Sequence, residues 1–317
     1  LRPLLLGASI LTLQADTFST YFQMEQARKA GEKEEAYQLN LQLIDESKAQ
    51  RIHHYTFVGY YRLAYQSYLD GRYDDCLAQT TAGIQIFEDN KANRNFTSPW
   101  YPSSYLSMWE LSERCHTAQM RPGEGWRAQQ KATELWHQLV SLPYQAGHFD
   151  VQAIARLSPE NRGRGWRQIS REASYLHEVG RTTEARNLLR AAIAQINKAH
   201  SRPVFYEAHL LDSLGIIESF IGYKENAIAI SQQQIQKIRQ IGSPGKDHSI
   251  LGARLNLAIN RAGFEGSTEE VLLEARALHD QVAALDPRIA VGFQRQIVRL
   301  ESILSTHNKT PEELEEL

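Results

Sequence analysis

Residues Tyr60–Phe87 read YYRLAYQSYLDGRYDDCLAQTTAGIQIF. Tyr60, Leu63, Ala64 and Ser67 recur at the spacing of one helical face. Gly71 then closes the helix, because glycine accepts the left-handed conformation that a helix end favours. Asp74 and Asp75 place negative charge in the first turn of a second helix, which runs through Cys76, Thr80, Gly83, Ile84 and Phe87. The stretch is a helical hairpin with a tight turn.

The pattern recurs along the chain. A glycine is followed five residues later by a small residue at Gly31–Ala36, Gly71–Cys76, Gly123–Ala128, Gly180–Ala185 and Gly222–Ala227. These glycines stand 40, 52, 57 and 42 residues apart, and Gly263 follows 41 residues after Gly222. Thirteen residues beyond each of the five comes a large apolar side chain: Ile44, Ile84, Trp136, Ile193, Ile235. The fourth unit carries the cleanest stripe, Ala185, Leu188, Leu189, Ala192, Ile193 and Ile196. Its small residues let two helices approach closely. A repeat of this length is the signature of stacked helical units that share a continuous core.

On these residues the chain resembles the tetratricopeptide repeat (TPR) family. The likeness is carried by Tyr60–Phe87, by REASYLHEVGRTTEARNLLRAAIAQI from Arg171, by LLDSLGIIESFIGYKENAIAISQQQIQKI from Leu210, and more weakly by TYFQMEQARKAGEKEEAYQLNLQLI from Thr20. The resemblance covers about residues 17–287. It implies an all-α, right-handed α-solenoid of 13 to 15 helices stacked as antiparallel hairpins. The expected solenoid spans 17–306, with units at 17–48, 57–88, 104–141, 166–199, 206–241 and 248–287 and a closing helix at 289–304. The chain departs from the family in its period, nearer 40 than 34 residues, and in lacking the repeat-ending proline until Pro287. Its third unit has His116 in a small-residue slot and Glu124-Gly125 where a second helix should begin.

Residues 1–16 carry an apolar run, Leu4–Leu13, followed by Gln14-Ala15-Asp16. They read either as an apolar N-terminal helix or as a signal-sequence remnant. The first reading goes with a cytoplasmic protein, the second with a periplasmic or exported one. Two longer gaps interrupt the repeat. Glu88–Ser104 reads as a loop; Leu142–Gly165 reads as a loop holding one short helix from Val151 to Leu157. Such insertions in a solenoid collect on one face, either as a binding face or as tolerated surface. The tail 307–317, with Thr310-Pro311-Glu312-Glu313, looks like the start of a further element.

Composition narrows the function. The 317 residues hold 35 Lys plus Arg against 37 Asp plus Glu, so no basic excess points to nucleic acid. No apolar run is long enough to span a bilayer. Two cysteines, Cys76 and Cys115, make no disulfide framework, although they could pair in an oxidising compartment. There is no GxxxxGK[ST] loop, HExxH, GxSxG or CxxC, and no nucleophile–base–orienter set is legible. The expectation is therefore no catalytic residue, no metal and no cofactor.

The resemblance implies that the first helix of each hairpin lines a concave groove. Carried over by position, the groove holds Tyr61, Tyr65 and Tyr68 in the second unit and Arg167, Arg171 and His177 in the fourth. The fifth offers His209, Asp212, Ile216 and Ser219, and the sixth Arg254, Leu257 and Asn260. These slots do not match the family's clamp for chaperone tails. The three tyrosines share one helical face, as core or as a rigid contact strip. Arg156, Arg162, Arg164, Arg167 and Arg171 concentrate positive charge, as a solvated face or as a basic patch. The expected partner is a protein or peptide, acidic or phosphorylated, lying between the tyrosines and the arginines. The expected role is a non-enzymatic scaffold or sensor module; a regulatory domain of a larger signalling protein is the alternative.

Overall fold

Four of the turns are closed by glycine in the left-handed region: Gly31 (φ 80°), Gly71 (φ 73°), Gly180 (φ 82°) and Gly222 (φ 88°). Each is followed by the same long bond. The N–H groups of Glu32, Arg72, Arg181 and Tyr223 donate to the carbonyls of Ala27, Ser67, Leu176 and Glu218 at 2.7–2.9 Å. This is the Schellman closure that turns a helix end back on itself, and it makes each of these repeats a hairpin.

The computed structural model describes residues 2–119, 121–145, 147–198, 204–241, 246–261 and 268–285, together with Gln294, Ile297, Val298 and Glu301. Among the described residues there are thirteen α-helices, one 3-10 turn and no strand, only an isolated bridge between Gln145 and His148. The chain divides into two compact units, 1–139 and 140–317.

The first unit holds α1 (Arg2–Ala30), α2 (Lys33–Ala49), α3 (His53–Leu69), α4 (Tyr73–Asn90), a 3-10 turn (Arg94–Phe96), α5 (Trp100–Ala118) and α6 (Pro122–Leu139). Each helix packs on the next. Met24, Leu43 and Val58 join the first three helices. Phe57, Phe87, Phe96, Tyr105 and Met108 form an aromatic core around α3–α5, with Phe87 stacked on Tyr105 at 4.2 Å. Helix α1 continues unbroken from the apolar stretch through Asp16 into the first hairpin. No helix is long and apolar enough to cross a membrane among the described residues.

The third hairpin differs from its sequence expectation. Gly123 is not a turn glycine, because it lies inside α6 with no left-handed φ. The helix starts at Pro122, a residue suited to the first helical position. Gly125 stays in the helix, where a Cβ would come 3.2 Å from the Thr117 hydroxyl. Cys76 and Cys115 are both free and buried, side by side in the α4–α5 core. Their mutual hydrogen bond, with burial, pushes the Cys115 thiol far up.

The second unit holds α7 (Val151–Arg156), α8 (Pro159–Glu178), α9 (Thr182–Asn197), α10 (Val204–Phe220), α11 (Lys224–Arg239), α12 (Lys246–Arg261) and α13 (Thr268–Leu285). Helix α8 begins at Pro159, well before the expected unit start at 166. Ser158 precedes this first-turn proline, and Gly163 and Gly165 are both buried within the helix. Helix α10 packs on α8, α9, α11 and α12. Two of its glutamates, fully buried, bind cations of flanking helices: Glu218 takes Arg186 (2.7 Å) and Arg190 (2.8 Å), and Glu207 takes Lys237 (2.7 Å). Ile297 is buried in the α12–α13 core, and Glu301 pairs with Arg276 at 2.6 Å. The other residues of the expected closing helix 289–304, Pro287, Gly263 and the tail 307–317 lie outside the described residues.

Candidate functional site

Helix α8 presents Arg167 and Arg171 one turn apart, and α10 brings His209 to the same place. The Arg167 guanidinium lies 5.8 Å from the Tyr206 ring centroid, on the first turns of α10. That ring in turn closes on Gly163, where an added Cβ would meet the tyrosine hydroxyl and ring carbons well inside contact distance. Glycine at 163 is what allows the aromatic ring to settle beside Arg167. Burial, then the charges of Arg171 and Arg167, hold His209 down to about 4, so its imidazole is neutral at ordinary pH.

The acid on this face is muted. Burial pushes the Asp212 carboxyl above the usual carboxylate range, against hydrogen bonds from Gln234 and Asn256 that favour its charge. The Gln234 amide donates at 3.0 Å from α11, and Asn256 donates from α12. The buried Oδ1 of Asn256 has no hydrogen-bond partner. Beneath them the hydroxyls of Ser170 and Ser213 bond across α8 and α10 at 2.5 Å. Positive charge, neutral donors and a subdued carboxyl therefore meet along α8, α10 and α12.

The expected site residues are placed unequally. Arg167 and Arg171 are brought together with His209. His177 is a full ten residues beyond Arg167 on α8, at the α8–α9 turn. Its Nδ1 lies 3.1 Å from the Thr182 hydroxyl, and its ring meets Phe220 edge-on at 4.4 Å. Arg254 is exposed on α12. Asn260 is buried and donates to the Ser231 hydroxyl at 2.9 Å, tying α12 to α11.

In the first unit the tyrosines divide. Tyr61 packs on the α3–α5 core and meets Trp100 edge-on at 6.0 Å. Tyr68 packs against the cluster of Cys76 and Cys115, with the Arg114 guanidinium 5.8 Å from its ring. Tyr65 alone of the three stands largely exposed, at 46%. Sequence reasoning did not single out Tyr206, Gln234 or Asn256. Gly163 leaves room for a close approach, but a glycine does not name the ring that fills its space.

No protein-family model matches the chain, and no curated protein matches it. Among solved structures it is similar to nearly identical TPR-like repeats from Podosopora anserina, at 17% identity over 72% of this chain and 97% of that one, with a TM-score of 0.42. It is similar to the apo form of the quorum sensor NprR from B. thuringiensis, at 9% identity over 89% and 87%, with a TM-score of 0.38. The P58(IPK) TPR domain is similar at 11% identity over 93% and 100%, with a TM-score of 0.28. Glycine-closed hairpins, consecutive packing and an all-helical described chain make this a TPR-like fold.

Proposed function

We propose that the second unit is a non-enzymatic docking module for an acidic or phosphorylated protein segment, received on the face shared by α8, α10 and α12. The observation that carries this reading is the convergence of Arg167 and Arg171 on a neutral His209, with the Arg167 guanidinium against the Tyr206 ring. Arg167 makes no ion pair among the described residues, so its charge is not neutralised by the fold. Arginine forks suit carboxylate and phosphate oxygens, and a neutral imidazole supplies a further polar contact without adding charge. Burial raises the pKa of the neighbouring Asp212 carboxyl, which lessens its opposition to an incoming anion.

Selection from a random peptide library on the purified protein tests the reading. Acidic sequences should be enriched, and their affinity should fall as salt rises, since screening acts over about 8 Å at physiological ionic strength. Changing Arg167 and Arg171 together to Glu should weaken the selected peptides by roughly 2–5 kcal/mol. The same change should move folding stability little, because partly exposed charges contribute less than about 1 kcal/mol. Enrichment of neutral or basic peptides, or affinity that ignores the charge reversal, would place docking on another face.

A further inference from the structure

We infer that the first unit carries a separate binding site for a phosphate-sized oxyanion, in a cavity between the end of α2, the start of α3 and the 3-10 turn. The cavity measures about 150 Å³ and is lined by Gln50, Arg51, His53, His54, Asn93 and Asn95, together with Ile52 and Phe96. At about 30 Å³ of liquid volume per water, that space holds several waters or one tetrahedral oxyanion with water beside it.

The polarity of the lining selects the ligand. No carboxylate lines the cavity, and its one permanent charge is Arg51. Arg51 makes no ion pair among the described residues. Two of the amides already have their carbonyl ends engaged. Gln50 Oε1 accepts from the Thr17 hydroxyl at 3.0 Å, and Asn93 Oδ1 accepts from the Asn95 backbone N–H at 3.0 Å. Each amide is thereby oriented with its NH₂ as the end left to donate. Burial, then neighbouring His53, lower the His54 pKa, so this imidazole is a neutral ring with one N–H. A guanidinium, two NH₂ groups and imidazole N–H donors around one space suit a ligand with several acceptor oxygens. No group of three or more His, Cys, Asp or Glu able to hold a metal ion occurs among the described residues.

Arg51 also provides a clean variant. Its φ is 55°, in the left-handed region where glycine is at ease. Arg51→Gly therefore removes the cation without straining the backbone. The test is calorimetric titration of the full chain with inorganic phosphate and, separately, with O-phosphoserine, in chloride buffer of matched ionic strength. Saturable binding with a dissociation constant on the order of 1 mM or tighter is expected. It should weaken roughly tenfold or more in Arg51→Gly, since charge-assisted hydrogen bonds are the strong ones. The thermal midpoint of that variant without phosphate should equal or exceed the parent's, which separates loss of the site from loss of the fold. Tighter binding of O-phosphoserine would identify an esterified phosphate as the ligand; tighter inorganic phosphate would identify the free anion. Absence of saturation with both probes, or equal affinity in Arg51→Gly, overturns the inference.

Discussion

Two glycines show how differently one residue type works in this chain. Gly71 has a φ of 73° and open space around it, so its role is conformational alone. Gly71→Ala should cost about 1–2 kcal/mol, the penalty of a Cβ in the left-handed region, read as a lower urea midpoint with unchanged slope. Gly163 lies within a helix, where alanine is intrinsically better by about 1 kcal/mol. An added Cβ there would drive into Tyr206. Gly163→Ala should therefore displace that ring from Arg167, destabilise by about 1–3 kcal/mol through overpacking and weaken acidic peptides without unfolding the protein. Peptide affinity untouched by this change would separate Tyr206 from the docking face.

Between helices, buried charge holds α10 in its place. Glu218 is completely buried, yet Arg186 and Arg190, which bind it from α9, reach the surface. Removing both arginines strands a carboxylate in the interior and should cost about 3–5 kcal/mol in chemical denaturation. Removing Arg72, whose bridges to Asp70 and Asp75 are exposed, should cost less than about 1 kcal/mol. The same helix gives the second unit a pH response. His209 is held to about 4, below its ordinary 6.5, so the unfolded chain binds the proton more readily. Stability from a neutral His209 is present above 6.5 and is lost as pH falls toward about 4, by about 1–3 kcal/mol for this half-buried ring. Asp212 and Glu172 work in the opposite sense, because burial raises both carboxyls and favours their protonated forms. Comparing acid-side denaturation of the parent with His209→Gln isolates the histidine: the variant should lose less stability over that window. Equal losses would mean that other groups set the acid limit.

At the scale of the molecule, helical hairpins bury their apolar faces chiefly on sequence neighbours, so stability is close to a sum over hairpins and interfaces. The aromatic core of Phe57, Phe87, Phe96, Tyr105 and Met108 is complete within residues 1–139. That segment expressed alone should give a helical circular dichroism spectrum and a cooperative thermal transition. A featureless melt would show that its core depends on residues beyond 139.

The helices were legible in the sequence because their causes are local. A 3.6-residue apolar period and a glycine able to take positive φ are written within some 30 residues, as Tyr60–Phe87 shows. Gly123 misled for the same local reason: it matched the spacing of the turn glycines, but Pro122 had already begun α6. The early start of α8 was likewise obscured by Gly163 and Gly165, which a buried helix accepts when an aromatic ring needs the room. The positive charge of Arg167 and Arg171 was legible in the sequence, and His209 and Asp212 were expected there as groove positions. Their states were not, since a histidine held near 4 and a carboxyl pushed upward depend on burial and on charges from other helices. Tertiary packing alone also divided the tyrosines, drawing Tyr61 and Tyr68 into contacts and leaving Tyr65 exposed, and it turned Asn260 inward to Ser231. Sequence periodicity fixes which face a residue occupies; only the neighbouring helix decides whether that face meets water, a charge or a ring.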